Sequence, residues 1–222
     1  RTVNLANVSS DYNTLKTCDV IFVCTPMNKT LDILDKLEKV ISENTLVTDV
    51  CSLKSFVCQK KRSYKFIPSH PMAGTELRGF ENSFNGLFEN AKWVITPCFD
   101  VEQTYYDKLE KLIKEMKATV VKTTPNEHDE AVAMISHMPM VIAQAIFLAA
   151  SENKLALDIA ASGFRDMTRL AMSNEEMACD MVKMNAENIQ NAILRLYKSV
   201  GDLTDNYAET ISKIKSQRQT MF

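Results

Sequence analysis

Glycine is scarce in this chain, with five in 222 residues and none before Gly74. The Gly-x-Gly-x-x-Gly turn that opens a dinucleotide-binding strand–turn–helix unit is therefore absent. Positive charge is not in excess either. Lys and Arg number 26 against 28 Asp and Glu, a net charge of −2, which removes the electrostatic case for nucleic acid or an acidic membrane surface. No apolar run approaches the roughly 20 residues that span a bilayer, and no secretory leader is visible. The six cysteines form no Cys-x-x-Cys pair and none stands at zinc-ligand spacing with a histidine, so no metal is expected. Scattered through apolar segments, they read as buried reduced thiols of a cytoplasmic protein. Internal repeats and low-complexity segments are also lacking.

What is present is ordinary globular composition, 45% hydrophobic and 24% charged, in a pattern that changes halfway. Apolar runs at 19–26, 45–50, 65–68, 92–97 and 119–122 read as strands, the first a fully buried parallel one. Between them lie helical stripes at 30–41 and 101–116, and a short helix is expected over 52–61. Strands alternating with helices predict βα units and a mostly parallel sheet. Thr124-Pro-Asn-Glu127 has the form of a capping box with proline at the first helical position. Beyond it only helical patterns follow, at about 130–150, 155–161, 174–197 and 204–219. The chain thus divides into an α/β part, residues 1–124, and an all-helical part, residues 125–222.

Ser69-His-Pro-Met-Ala-Gly-Thr-Glu76 is poorly explained as packing: a histidine at a strand end leads into proline, glycine and a carboxylate. Thr25, Ser52 and His70 all follow apolar runs, and open sheets bind ligands outside the carboxyl ends of their strands. Each has a blander reading. Ser52 at the start of a helix is a routine N-cap, and Glu76 in a loop is a solvated carboxylate. His137, two residues before Pro139 on an apolar helix, reads by itself as a satisfied core residue, and His128 as structural. Proline at 139 is expected to kink that helix.

Five motifs then occur in one order: Thr25-Pro26 after a strand, Asp49-Val-Cys-Ser-Leu-Lys54, the His70 loop, Ser136-His-Met-Pro139 and Gly163-Phe-Arg-Asp-Met-Thr-Arg169. In this order the chain resembles the prephenate dehydrogenases, a family that includes arogenate and cyclohexadienyl dehydrogenases. The resemblance implies a partial Rossmann-type sheet followed by a helical dimerisation domain. The first strand and glycine-rich loop of the cofactor domain are expected to lie outside these residues. It implies oxidative decarboxylation of prephenate to 4-hydroxyphenylpyruvate, in tyrosine biosynthesis, with hydride passing to NAD or NADP.

On that resemblance His70 is the catalytic histidine and Ser52 contacts the same substrate hydroxyl. Arg169 binds a substrate carboxylate, with His137, Thr75, Glu76, Arg165 and Asp166 around it. Thr25, Pro26 and Ser52 line the cofactor side. Two departures stand out: Ala178 where some relatives carry tryptophan, and Cys51 where relatives often have glycine. Long apolar faces in the helical half point to a homodimer. Prephenate and arogenate both remain open as substrates. The alternatives are another two-domain oxidoreductase of the β-hydroxyacid type, which would need a lysine from the helical half, and a non-catalytic dimeric binding protein.

Overall fold

The computed structural model describes residues 8–75 and 79–221. After a 3-10 turn at Tyr12–Thr17, the chain runs β1 (Val20–Val23), α1 (Met27–Leu37), β2 (Leu46–Asp49), β3 (Lys65–Phe66), β4 (Ser69–Pro71) and β5 (Lys92–Ile95). It continues with α2 (Gln103–Glu115) and β6 (Thr119–Lys122), and helices follow. Strands β1, β2 and β3 are parallel neighbours in that order. β5 lies parallel to β6 but antiparallel to β4. The two three-stranded sheets are joined through one segment. Ile67 N donates to Val47 O at 2.9 Å and Thr96 N donates to Pro68 O at 3.0 Å, so residues 65–71 bond β2 on one side and β5 on the other.

Side-chain alternation along the strands divides the core. Ile21, Val23, Val47 and Phe66 pack under Leu34 and Leu37 of α1. Leu46, Ile67, Trp93 and Ile95 pack under Leu109 and Ile113 of α2, with Val20 and Phe22 facing the same way. Each helix buries residues at helical spacing: Met27, Thr30, Leu34 and Leu37 in α1, and Tyr106, Leu109 and Ile113 in α2. That is the amphipathic stripe the sequence shows.

The expected capping box is present. Thr124 Oγ1 accepts from Glu127 N and the Glu127 carboxylate accepts from Thr124 N, with Pro125 opening α3 (Pro125–Val132). A π turn at Ala133–His137 joins α3 to α4 (Met138–Ser151). Pro139 has no N–H to offer the preceding turn, and the wider π turn absorbs the lost bond, so the helix bulges there. Residues 125–151 therefore form one helix of 27 residues, long and apolar enough by length and composition to cross a membrane. A long apolar helix was expected here, but not one that meets the length and apolarity of a membrane span. Its Val132, Ala133, Met138, Met140 and Ala143 are core residues and it also buries His128, Asp129 and His137, while Ile135, Phe147 and Leu148 are exposed.

The remaining helices are α5 (Lys154–Asp158), α6 (Ser162–Thr168), a 3-10 turn at Arg169–Met172, α7 (Glu175–Met184), α8 (Ala186–Asp205) and α9 (Tyr207–Met221). The single helix expected over 174–197 is thus two, broken at Asn185, whose side chain bonds Asp129 O at 2.9 Å. A third core cluster spans both parts of the chain: Met27, Cys51 and Leu53 pack with Val132, Met140, Ala178 and Met181.

Two local expectations are corrected. No helix covers 52–61; a 3-10 turn at Val57–Gln59 is all that forms. Cys51 N bonds the Asp49 carboxylate, and the amides of Lys54 and Ser55 bond Asp129 instead of a helical ladder. His70 also does not follow a strand but sits within antiparallel β4.

Beside it, Lys54 is wholly buried. Its ammonium pairs with the Asp49 carboxylate and donates to Ser69 O at 2.6 Å, fastening the end of β2 to the peptide before His70. Lys54→Met leaves Asp49 buried without its cation. The expected loss is about 3–5 kcal/mol of unfolding free energy, measured by urea denaturation. An unchanged midpoint and slope would show that the pair contributes nothing net.

Candidate active site

The carboxyl ends of β1 and β2 open onto a cleft of about 240 Å³ lined by Thr25, Pro26, Met27, Val50, Cys51 and Ser52. Its far wall comes from the helical half, with Asn174, Glu176, Met177 and Asp180. Asn28 spans the two: its N–H donates to Asp180 Oδ2 and its amide to Glu176 Oε1, each at 3.3 Å. The three residues expected on the cofactor side therefore share one cleft. Thr25 is braced there by the Thr30 hydroxyl at 3.0 Å. Burial pushes the neighbouring Cys51 thiol up to about 12, so it stays protonated and is no nucleophile.

His70 lies on the adjacent strand, half-buried, with Nδ1 2.9 Å from Nε2 of His128. The rings meet edge to face, centroids 5.1 Å apart. His128 Nδ1 in turn lies 2.8 Å from Asp129 Oδ1. The Asp129 carboxylate also accepts from Lys54 N at 2.8 Å and Ser55 N at 2.9 Å, two and three residues beyond Ser52. Burial by itself would raise the Asp129 carboxyl, but the bonds from His128, Ser55 and Lys54 outweigh it and hold the group below the ordinary carboxylate range. Among the described residues no hydrogen bond joins Ser52 to His70.

Burial is also the main influence on His70. With the positive field of Lys54 and the neighbouring His128 and His137, it holds the imidazole well below its ordinary range. The ring is thus neutral at physiological pH, as a proton acceptor must be. His137 faces the same interior from the π turn. Asn185 Nδ2 donates to its Nδ1 at 3.2 Å, which leaves its proton on Nε2.

The arginine segment is less engaged. Arg165, Asp166 and Arg169 are exposed. α6 ends at Thr168, so Arg169 begins a tighter turn and does not continue the face that carries Arg165. None of the three is ion-paired with a described residue, so Asp166 orients neither arginine here. Leu170 anchors the segment against the cluster that holds Cys51, Leu53 and Met72. Thr75 is exposed; Glu76 lies outside the described residues. A Cβ on Gly74 would meet nothing within 4 Å, so no close approach within this chain demands glycine there.

Sequence reasoning missed three members of the site. His128 was read as structural, yet it bonds His70 directly. Asp129 and Asn185 drew no attention. The available signal was weak and covered only two of them: a His-Asp pair four and five residues after the capping Thr124.

Burial lowers His137 from 6.5 to about 4. The unfolded chain therefore binds the extra proton across that window, and acid favours unfolding. The expected contribution, on the order of 3 kcal/mol, is full above about pH 6.5 and lost as pH falls toward 4. His70, also held below its ordinary range, acts in the same direction. His137→Asn places an acceptor oxygen near Nδ1 and removes the titration. Stability curves from pH 4 to 8 are expected to be flatter for this variant than for the wild type, and parallel curves would refute the assignment.

The chain is similar over most of its length to known proteins. The family model for the prephenate dehydrogenase nucleotide-binding domain matches residues 2–122. That for the prephenate dehydrogenase dimerization domain matches residues 124–217. The prephenate dehydrogenase of Bacillus subtilis (strain 168) is 34% identical over 185 residues, covering 79% of this chain and 50% of that protein. The cyclohexadienyl dehydrogenase of Zymomonas mobilis is 26% identical over 197 residues, covering 84% of this chain and 67% of that protein. Among solved structures, arogenate dehydrogenase from Synechocystis superposes with a TM-score of 0.83 at 28% identity, covering 96% of this chain and 83% of that one. Prephenate dehydrogenase from A. aeolicus, in complex with hydroxyphenyl propionate and NAD+, gives 0.85 at 25% identity, covering 96% and 81%. The chain spans about half the length of the Bacillus relative. A Rossmann-type sheet, a helical half that closes its cleft and two matched family domains in sequence lead to one conclusion: the chain belongs to the prephenate dehydrogenase family.

Proposed function

We propose that this chain carries the catalytic cleft of an NAD- or NADP-dependent dehydrogenase that oxidises and decarboxylates prephenate, or its amino counterpart arogenate. The observation that carries the reading is His70. It is a neutral imidazole held by His128, one strand away from a strand-end cleft that it does not itself line and whose opposite wall belongs to the helical half.

The cleft fits one end of the cofactor. At about 240 Å³ it is smaller than the roughly 300–1,000 Å³ that encloses a drug-sized ligand, so it suits a single ring and not a dinucleotide. Thr25, Pro26 and Ser52 are the residues that would hold the nicotinamide end, and the group supplies a hydride acceptor when bound. His70 takes the proton from the substrate hydroxyl as hydride leaves the carbon that bears it. Loss of the ring carboxylate as carbon dioxide then makes the ring aromatic, so the residues need mainly to position the substrate and remove one proton. Ser52 is proposed to contact the same hydroxyl. Arg169, exposed and without a carboxylate partner among the described residues, offers a guanidinium fork for a substrate carboxylate. Arg165 adds positive potential, and His137, Thr75, Glu76 and Asp166 are proposed around the substrate.

The protein also acts as a homodimer through its helical half on this reading. Leu148 of α4 is 70% exposed, and Leu194 and Tyr197 of α8 are 65% and 79% exposed. Large apolar side chains left open along several helices need a partner surface.

The test is the complete gene product supplied with prephenate or arogenate and with NAD or NADP, followed by absorbance of the reduced nicotinamide. Turnover of either substrate with either cofactor supports the reading, and none with any pair removes it. His70→Asn is expected to lower turnover by about 10²-fold or more with little change in Michaelis constant. Arg169→Ala is expected mainly to raise that constant, by the equivalent of roughly 2–4 kcal/mol. Unchanged binding would place the carboxylate site elsewhere.

A further inference from the structure

We infer that His128, held by Asp129, is a positioning residue that sets the tautomer of His70 and receives the proton His70 releases at its inner nitrogen. The inference rests on the assignment of His70 as the base.

The argument follows the hydrogens through the chain of contacts. An ionised carboxylate only accepts, and Asp129 already takes two backbone N–H groups. Its contact with His128 Nδ1 must therefore be donated by the ring, Nδ1–H to Oδ1, at 2.8 Å. In neutral His128 the proton is then on Nδ1 and Nε2 is bare. Nε2 lies 2.9 Å from His70 Nδ1, so His70 donates Nδ1–H to it. The remaining nitrogen of His70, Nε2, carries a free lone pair. Of the two tautomers this is the one able to take a proton from a hydroxyl.

The step balances. The substrate O–H bond breaks and an N–H bond forms at His70 Nε2. His70 Nδ1–H breaks as the proton passes to His128 Nε2, and the positive charge ends on His128 beside ionised Asp129. His70 leaves the step neutral, with its proton moved to the other nitrogen. Asp129 does not become protonated; it orients His128 and stabilises its charged form, the role the buried aspartate plays in a hydrolase triad. Other charged or titratable groups face the pair from each neighbouring element: Lys54 with Asp49 at the end of β2, and His137 from the π turn. Lys54 opposes charge on His70, which favours moving the proton onward. Once His128 is protonated at Nε2, it donates to His70 Nδ1 and drives the His70 proton to Nε2, where it blocks the base.

Ring-nitrogen NMR on the complete protein, labelled with 15N-histidine, reads the tautomer directly. His70 is assigned by the signal lost in His70→Asn. The expected result at pH 8 is a protonated Nδ1 and a bare Nε2 on His70. A proton on Nε2 overturns the inference, whatever the variants do. Asp129→Asn can keep an acceptor oxygen for the Lys54 amide and for His128 Nδ1–H, but it removes the negative charge that stabilises protonated His128. Its turnover is expected to fall about 10²-fold or more, with the Michaelis constant within about threefold. A folded Asp129→Asn protein with unchanged turnover also overturns the inference. If the complete protein oxidises neither prephenate nor arogenate, the proposed function fails, and the NMR result still decides the tautomer.

Discussion

One ionised carboxylate, placed where water is scarce, ties the molecule together. Asp129 binds the amides of Lys54 and Ser55 from the loop after β2, and the ring of His128 from its own helix. Its backbone carbonyl takes the Asn185 amide from the junction of α7 and α8. A buried carboxylate without such donors would be costly. With them it joins a strand-end loop, the first helix of the helical half and a later helix junction into one polar centre. The loop at 51–55 forgoes a helix because its amides are satisfied here. Ser52 is thereby left in the cleft and not committed to an N-cap.

Around that centre the two halves contribute different things. The sheet supplies rigidity: Lys54 and Asp49 clamp the peptide before His70, and Ser69 Oγ is bonded by Trp93 Nε1 at 2.9 Å and to Asp49 O at 3.0 Å. The helical half supplies the low-polarity surroundings and the second ring. Burial keeps His70 and His137 neutral, and the π turn before Pro139 places His137 toward Asn185 and not on the open face. Proline at that position therefore acts through helix geometry, while the chemistry belongs to the histidines.

Much of the architecture was legible because it follows from local rules. The continuous apolar run at 20–23 marks two-sided burial, and the stripe at Leu34 and Leu37 marks the face of α1. Thr124-Pro-Asn-Glu127 specifies its own capping box. The ordered motifs brought out Thr25, Pro26, Ser52 and His70 as a group, and the strand ends place the first three in one cleft. Less legible were the places where a tertiary bond replaced a local one. The 52–61 segment has helical composition, but its amides have a better partner in Asp129. The 174–197 stripe is continuous in sequence, yet Asn185 breaks it to bond Asp129 and His137.

Sequence alone determined the division into a strand–helix part and an all-helical part, the faces the strands and helices bury, and the residues able to do acid–base work. These depend on period, side-chain type and neighbours a few positions away. Tertiary structure decided which histidine pairs with which, how Asp129 orients them, and that Arg169 remains exposed on a turn. A hydrogen bond between residues 58 positions apart depends on the distance and direction of two ring nitrogens, and no local pattern in the chain encodes that distance.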